Sequence, residues 1–354
     1  MLSRCRLILL SGVGGAGTTT VAAATAEALR SEGLNVLLMD AGDPVSPDPG
    51  VVSLAGSSVG RLFAELGADP LVTEAWSSLA GVGHLSVLAR VVRALSEGDV
   101  DAVVVDCGDH RRARELVELP SVLERLLDAA LTPRLAMWRS TGPGGSEAVF
   151  DAVATARHEV VRLRQALAHP ATSMRLVTLP TAEAVARTTA AISVFALLGV
   201  AVDGVVVNRF PRKSEGWPGE VVTAADEALA HLSREADGIA VWKSTSRVRA
   251  VPKGRSAMGP LDRAQVLDAD QLTVLLGDEE FHLDLPLAHC ARQEAAVGVQ
   301  GRSLVVAFEG VIRWIELPPV LVRCRPTQAV RTSTGLRVTF VPDPAAWRTP
   351  AVAS

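Results

Sequence analysis

The sequence predicts an α/β protein: a mostly parallel sheet with helices on both faces, followed by a small antiparallel β-sandwich. Three observations predict this fold. Short apolar strands alternate with helix-length segments, a glycine-rich loop follows the first strand, and from about residue 280 onward the pattern changes to short alternating runs punctuated by glycine. The first pattern is typical of parallel sheets covered on both faces, and the last is typical of antiparallel strands.

The first unit is a strand, a loop, a helix and a second strand. Residues 6–10 form an apolar strand, residues 12–17 are rich in glycine, and residues 19–30 form an alanine-rich segment that Gly33 closes. The second strand, residues 36–39, ends at Asp40. A glycine loop between a strand and a helix is the arrangement in which backbone amides bind phosphate.

The later elements repeat this alternation. Helices are predicted over residues 85–96, 148–168 and 182–198, and parallel strands over residues 102–105, 176–178 and 204–207. Strands of the C-terminal module are predicted over residues 281–287, 303–308, 312–317 and 336–341. We therefore expect an α/β domain at 1–275, a β-sandwich at 276–342 with its linker at 276–280, and a disordered tail at 343–354.

Composition excludes several classes of function. The formal net charge is −4 and no basic block is present, so neither a nucleic-acid surface nor an anionic-membrane surface is expected. The apolar run 190–202 is too short to span a bilayer and no export signal is recognisable, so we expect a cytoplasmic protein that is not an integral membrane protein. The four cysteines are scattered without a CxxC pair, so no zinc site is expected.

The loop itself reads Ser-Gly-Val-Gly-Gly-Ala-Gly-Thr-Thr-Thr over residues 11–20. It resembles the deviant Walker A sequence (K-G-G-x-G-K-[ST]-T) of the ArsA/MinD/ParA group of P-loop ATPases. The matching residues are Gly14, Gly15, Gly17, Thr19 and Thr20. The resemblance implies a bound ATP or ADP with Mg²⁺, whose shell would include the hydroxyl of Thr19.

Two positions of this loop depart from the family. Val13 stands where the signature lysine is expected, and Thr18 stands where the phosphate-binding lysine is expected. A hydrogen bond to a charged group contributes about 1.5–3 kcal/mol, and losing a cation at the transition state can slow phosphoryl transfer by about 10³–10⁵. Efficient ATP hydrolysis is therefore not expected, although Thr18 remains part of the predicted phosphate-binding loop.

Three further segments resemble the family. Asp43, in an Asp-Pro pair, resembles the aspartate that orients the attacking water, and Asp40 competes for that role; otherwise Asp40 ends a strand and Asp43 starts a turn. Asp106 ends an apolar strand and resembles the aspartate that holds the Mg²⁺ shell. Asn208, in Val-Val-Val-Asn-Arg, resembles the asparagine that reads adenine, or else is an ordinary loop residue. Cys107 is interpreted as a small buried thiol.

The C-terminal module resembles the small Hsp20-like β-sandwich appended to many bacterial ArsA-like proteins. The segments that carry this resemblance are 281–287, 304–306, 313–318 and 335–340. Together with the loop, they favour an ArsA-like protein, in a family that dimerises face to face across the nucleotide. The zinc-binding CxxC and the metalloid-binding cysteine cluster of some family members are absent from the sequence.

The sequence is consistent with three functions. The first is a weakly hydrolysing or non-hydrolysing pseudo-ATPase subunit that pairs, as a homodimer or heterodimer, with an active ArsA-like paralogue. The second is a nucleotide-switched chaperone for hydrophobic clients, with residues 122–138 and 149–167 as the client surface. The third is a scaffold that binds no ligand.

Overall fold

A computed structural model describes residues 5–41, 82–141, 146–236, 238–245, 274–277, 280–285, 295–332 and 335–344. Its main feature is a six-stranded parallel sheet with strand order β2-β3-β1-β4-β5-β6. The sheet begins in the centre of this order, since β1 pairs with both β3 and β4. Each return to a parallel neighbour requires a crossover, and helices provide it.

The elements of this domain follow the predicted alternation. The strands are β1 (Arg6–Gly12), β2 (Val36–Asp40), β3 (Ala102–Asp109), β4 (Thr172–Thr178), β5 (Ala201–Phe210) and β6 (Val241–Thr245). The helices are α1 (Thr18–Arg30), α2 (Val82–Glu97), α3 (His110–Thr141), α4 (Ser146–Ala168), α5 (Ala182–Leu197) and α6 (Gly219–Glu235).

Helices cover both faces of the sheet, as the sequence predicts. Helix α1 packs on one face through residues such as Val21 and Leu29, against Ile8 and Val104 of the sheet. Helices α2 to α6 contribute to the core on the opposite face, where Leu88, Leu116 and Leu232 are among the buried residues. The strands are buried on both faces, which explains their nearly continuous apolar sequences.

The C-terminal module consists of two antiparallel sheets, with strand orders β11-β10-β9 and β12-β13-β8-β7. Its strands are β7 (Val274–Leu276), β8 (Phe281–Leu285), β9 (Ala295–Gln300), β10 (Ser303–Phe308), β11 (Val311–Glu316), β12 (Cys324–Arg331) and β13 (Leu336–Pro342). Both sheets contribute to one core, in which Leu304, Val338 and Phe340 are fully buried. This confirms the predicted small antiparallel β-sandwich.

The two parts of the chain share a helix. The end of α5 supplies Val194, Ala196 and Leu197 to the core of the β-sandwich, while Ile192 and Phe195 of the same helix pack into the core of the parallel sheet. The apolar run 190–202 is therefore explained by burial between two cores. Among the described residues, none of the helices has the length and apolar character that a membrane span requires.

A hairpin of the β-sandwich also touches the first domain. Strands β10 and β11 are joined by a two-residue turn in which Glu309 has φ 49° and Gly310 has φ 74°. Arg114, on the second turn of α3, donates a hydrogen bond from Nη1 to the carbonyl oxygen of Glu309 at 3.0 Å. This contact places the hairpin beside the segment that follows Asp106.

Candidate nucleotide site

The glycine loop lies between β1 and α1, at the carboxyl edge of the central strand. Gly15 has φ 78°, and Gly17 has φ 83° and ψ 39° at the N-cap position of α1. A Cβ on Gly17 would lie 2.9 Å from Nδ2 of Asn208, so both backbone conformation and space favour glycine there. The loop therefore forms a tight turn that leads directly into the helix.

Most amides of this loop remain available. The N–H of Val13 bonds the carbonyl of Val177, and that of Ala16 bonds the carbonyl of Val13. In the described part of the chain, no acceptor is found for the N–H groups of residues 14, 15 and 17–20, and α1 has no side-chain cap. Unpaired amides at a helix N-terminus, with glycines that leave open space above them, form an anion-binding concavity.

The two positions that should carry lysine are turned into the protein. Val13 is buried with Ile8, Leu10 and other residues of the core beneath α1. Thr18 is also buried, and its Oγ1 would lie 2.5 Å from a Cβ on Gly12. Neither side chain can donate charge to a phosphate, so the loop offers backbone amides without a cation of its own.

Asp106 lies where a Mg²⁺-shell aspartate would be expected. It is buried at the end of β3, and it follows Val104 by two residues, on the face that α1 covers. Its Oδ1 accepts a hydrogen bond from the N–H of Gly108 at 3.0 Å, which leaves Oδ2 for another ligand. The neighbouring Cys107 points to the opposite core, where burial raises the pKa of its thiol, as expected for a structural cysteine.

The other predicted residues differ in their surroundings. Asp40 is exposed at the end of β2 and is in register with Asp106, so two carboxylates lie on adjacent strands. Asp43 lies outside the described residues. Asn208 is buried, and its side chain donates to the carbonyl of Ala16 at 2.7 Å and accepts from the N–H of Arg209 at 2.9 Å. Asn208 thus connects β5 to the loop, and a contact with adenine would have to use its second N–H hydrogen.

The first turn of α3 adds residues that the sequence reading missed. Ser11 Oγ and His110 Nδ1 lie 2.8 Å apart, and Asp109 caps the helix by accepting from the N–H of Arg112 at 2.9 Å. Burial lowers the pKa of His110 to about 4, partly opposed by Asp109, so the imidazole is neutral at pH 7. The signal in the sequence was the run His-Arg-Arg-Ala-Arg directly after a strand that ends in aspartate.

The residues present fit a nucleotide only in part. The open amides fit phosphate, and the hydroxyl of Thr19 with the carboxylate of Asp106 suits Mg²⁺, which commonly takes one or two protein ligands besides phosphate and water. Within the described ranges, no group of three or more His, Cys, Asp or Glu side chains could hold a metal ion without such help. Metal binding at this site would therefore depend on bound phosphate.

The parallel sheet, the glycine loop entering α1 and the aspartate at the end of β3 define a P-loop NTPase-type fold. Comparisons with protein families agree. Residues 56–222 match the sequence model of the family described as "Anion-transporting ATPase", and residues 278–340 match that of the "HSP20-like domain found in ArsA". The chain is an ArsA-like family member with a C-terminal HSP20-like domain. The first match begins downstream of the glycine loop.

Similar proteins come from three bacteria. "Uncharacterized protein SCO2128" of Streptomyces coelicolor is 28% identical over 97% of this chain and 99% of its own length. "Protein Rv2184c" of Mycobacterium tuberculosis is 23% identical over 98% of each chain. "Putative arsenical pump-driving ATPase 1" of Aquifex aeolicus is 25% identical over 58% of this chain and 63% of its own length.

Proposed function

We propose that this protein is a nucleotide-binding subunit with weak or no ATPase activity that pairs with an active ArsA-like paralogue. One observation carries the proposal: the loop keeps its open amides, whereas both lysine positions hold short, buried side chains without charge. Backbone amides and the helix N-terminus favour a phosphate group. Transition-state stabilisation, in contrast, requires cations that the loop does not contain.

Pairing is supported by exposed apolar groups beside the candidate site. The segment after β5, which begins three residues beyond Asn208, leads to Trp217, whose exposed fraction is 45%, and to Val221 on the first turn of α6, at 41%. Both lie near the carboxyl edge of the sheet, where family members dimerise across the nucleotide. A partner docked there would cover this apolar surface and could supply the missing lysine.

The first experiment is calorimetry of the purified protein with ATP and with ADP in the presence of Mg²⁺, followed by a phosphate-release assay. We expect binding in the micromolar range and turnover well below that of a lysine-bearing family member. The double variant Val13→Lys/Thr18→Lys should bind more tightly. Because both sites are buried, circular dichroism must first show that the variant folds.

The second experiment tests pairing. The chain and a lysine-bearing ArsA-like paralogue from the same cell are mixed, and sedimentation velocity is measured with and without nucleotide. A complex that weakens in Trp217→Ser supports pairing at this edge. Leu275→Ser is the control, since Leu275 is 41% exposed but belongs to β7 of the β-sandwich and not to the segment after β5.

Other outcomes would point to the alternatives. Nucleotide-dependent capture of an apolar peptide, without a paralogue, would favour the chaperone function. On this alternative, the end of α4 is not free for clients, because Leu163 and Leu167 pack in the core of the sheet. Failure to bind nucleotide, paralogue or peptide would leave a ligand-free scaffold.

A further inference from the structure

Lysine is nearly absent from this protein, so arginine is the more abundant source of a cation for the phosphate loop within this chain. The sequence contains only Lys213, Lys243 and Lys253. Lys243 lies on β6, 3.8 Å from Asp226 and over the ring of Phe210, and Lys213 lies in the segment after β5. Arginine binds phosphate well because its planar guanidinium can donate two parallel hydrogen bonds.

The first turn of α3 holds an arginine in a suitable place. The aliphatic part of Arg112 packs back onto the turn after Asp106: a Cβ on Gly108 would lie 3.8 Å from Cδ of Arg112. The N–H of the same Gly108 bonds Asp106, and β3 is paired to β1 as far as Asp109 and Gly12. Arg112 thus packs against the turn that follows Asp106, at the edge of the sheet where the glycine loop lies.

Among the residues that the structure describes, no acidic side chain neutralises the charge of Arg112. Its side chain is exposed, and no carboxylate of the described residues lies within 4.0 Å of it. Its neighbours on the helix differ. Arg111 lies 3.6 Å from Glu115, and Arg114 lies 3.7 Å from Glu118 and donates to the carbonyl of Glu309.

We propose that Arg112 is a phosphate-binding residue that supplies the terminal phosphate of a nucleotide in this loop with the cation that Val13 and Thr18 cannot provide. This inference rests on the proposed nucleotide binding and deepens it. Arg112 lies on the Asp106 side of the loop, beside the predicted Mg²⁺ shell. Its Cδ lies beside the Gly108 turn, and in this proposal the exposed guanidinium turns to that phosphate when nucleotide binds.

A second arginine competes for this role. Arg209 is exposed with φ 55°, and it follows Asn208, whose side chain bonds the loop at Ala16. By the family resemblance, this side of the loop faces the base, whereas Asp106 faces the terminal phosphate. Arg112 should therefore distinguish ATP from ADP, and Arg209 should not.

The test is calorimetry with Mg²⁺-ATP and Mg²⁺-ADP on the full chain and on Arg112→Ala, Arg112→Lys, Arg111→Ala and Arg209→Ala. We expect Arg112→Ala to weaken ATP binding about 10- to 150-fold, the loss of one charged hydrogen bond, and to weaken ADP binding less. Arg112→Lys should give an intermediate loss of ATP affinity, because lysine keeps the positive charge but cannot donate two parallel hydrogen bonds as the guanidinium does. Arg111→Ala, a change at the adjacent and also exposed position, should bind ATP like the natural protein.

The outcomes separate the two proposals. If the natural chain binds neither nucleotide, the proposed function fails and this inference fails with it. If the natural chain binds ATP, and Arg112→Ala binds it equally well or loses no more than Arg111→Ala, only the inference is wrong. A larger loss in Arg209→Ala than in Arg112→Ala would also overturn it. Thermal melts of all variants, which should agree, exclude misfolding as the cause.

Discussion

Arg175 and Asp203 form a fully buried, bidentate ion pair between β4 and β5. The Nε of Arg175 donates to Oδ1 of Asp203 at 3.1 Å, and Nη2 donates to Oδ2 at 2.8 Å, with neither side chain exposed to solvent. Ser173 and Arg6 also donate to Oδ2. The guanidinium carbon of Arg175 lies 5.1 Å from the ring centre of Trp242 on β6. One carboxylate therefore connects β1, β4 and β5.

The first prediction concerns this pair. Asp203→Ala leaves the charge of Arg175 buried without a partner, so we expect the free energy of unfolding to fall by about 3–5 kcal/mol. Urea denaturation followed by circular dichroism measures it. Asp284→Ala is the matched control, because Arg337 and Asp284 form the same fork at 2.7 Å on the partly exposed surface of the β-sandwich. Equal losses in the two variants would contradict the prediction.

The second prediction concerns pH and His110. Its pKa is about 4 in the folded chain, because of burial, and 6.5 in an unfolded reference. Between these values the unfolded chain binds the proton more readily, so the free energy of unfolding should fall by roughly 3 kcal/mol as pH decreases from 6.5 to 4. His110→Gln should remove this part of the pH dependence.

Carboxylates also titrate in this pH range, so the stability of the natural protein also depends on pH for other reasons. The pH dependence of the natural protein is therefore compared with that of His110→Gln. Unfolding free energies at intervals from pH 8 to pH 4 give the two curves. At pH 8 the two unfolding free energies should differ by no more than the contribution of the hydrogen bond between Ser11 and residue 110. The two curves should converge or cross as the pH falls. Curves that remain parallel would show that His110 does not titrate abnormally.

The third prediction concerns the link from Asn208 to the loop. Asn208→Ala removes the donor to the buried Ala16, whose carbonyl is then unsatisfied, at a cost of about 1–3 kcal/mol in unfolding free energy. Hydrogen exchange of the amides of residues 14–20 should also become faster. Asn208→Asp should behave similarly, because it keeps the acceptor for the N–H of Arg209 but loses the donor.

A control for this link is Asn35→Ala. The side chain of Asn35 likewise donates to a backbone carbonyl, that of Asp99, but it does so on the surface. Water can replace that bond, so the loss of stability should be smaller and the loop amides should exchange at their normal rate. If Asn208→Ala resembled Asn35→Ala in both respects, the link would not hold the loop.

The fourth prediction concerns the turn between β10 and β11. Glu309 has a left-handed backbone, and Asn-Gly is the preferred pair for such a two-residue turn, so Glu309→Asn should stabilise the protein by about 0.5–1 kcal/mol. The acceptor for Arg114 is a backbone carbonyl and is unchanged by this substitution. Gly310→Ala should destabilise it, because φ is 74° and the new Cβ would lie 3.5 Å from Nη1 of Arg114. Thermal melts that shift in the same direction for both variants would contradict this account.

The phosphate loop could be predicted from the sequence because its constraints are local. Glycines at positions with positive φ, a strand before them and a helix after them are all visible in the sequence. Asp106 was equally accessible, as the first polar residue after an apolar strand. The inward orientation of Val13 and Thr18 was not, because it depends on packing beneath α1.

Strand ends were predicted too short, for an identifiable reason. Residues 176–178 and 204–207 were expected as strands, whereas β4 begins at Thr172 and β5 at Ala201. The missing residues include Ser173, Arg175 and Asp203, which look like loop residues one by one. They satisfy each other across two strands, so their burial could not be inferred from either segment alone.

The bonds that bring distant segments together were also invisible in the sequence. Ser11 and His110 are 99 positions apart, and Arg114 and Glu309 are 195 apart. No pattern in the sequence links Ser11 to His110 or Arg114 to Glu309, because a single hydrogen bond leaves no periodic trace. Only the fold places them side by side.

Helix α5, which lies between two cores, decides where this chain can be divided. Removing the β-sandwich would leave Val194 and Leu197 facing water, and removing the parallel-sheet domain together with α5 would take these side chains out of the core of the β-sandwich. A truncated protein that ends before β7 (Val274–Leu276), the first strand of the β-sandwich, should therefore be prone to aggregate. The two domains should therefore be expressed together. A cut between them separates two segments of sequence but exposes side chains of the helix that both cores share.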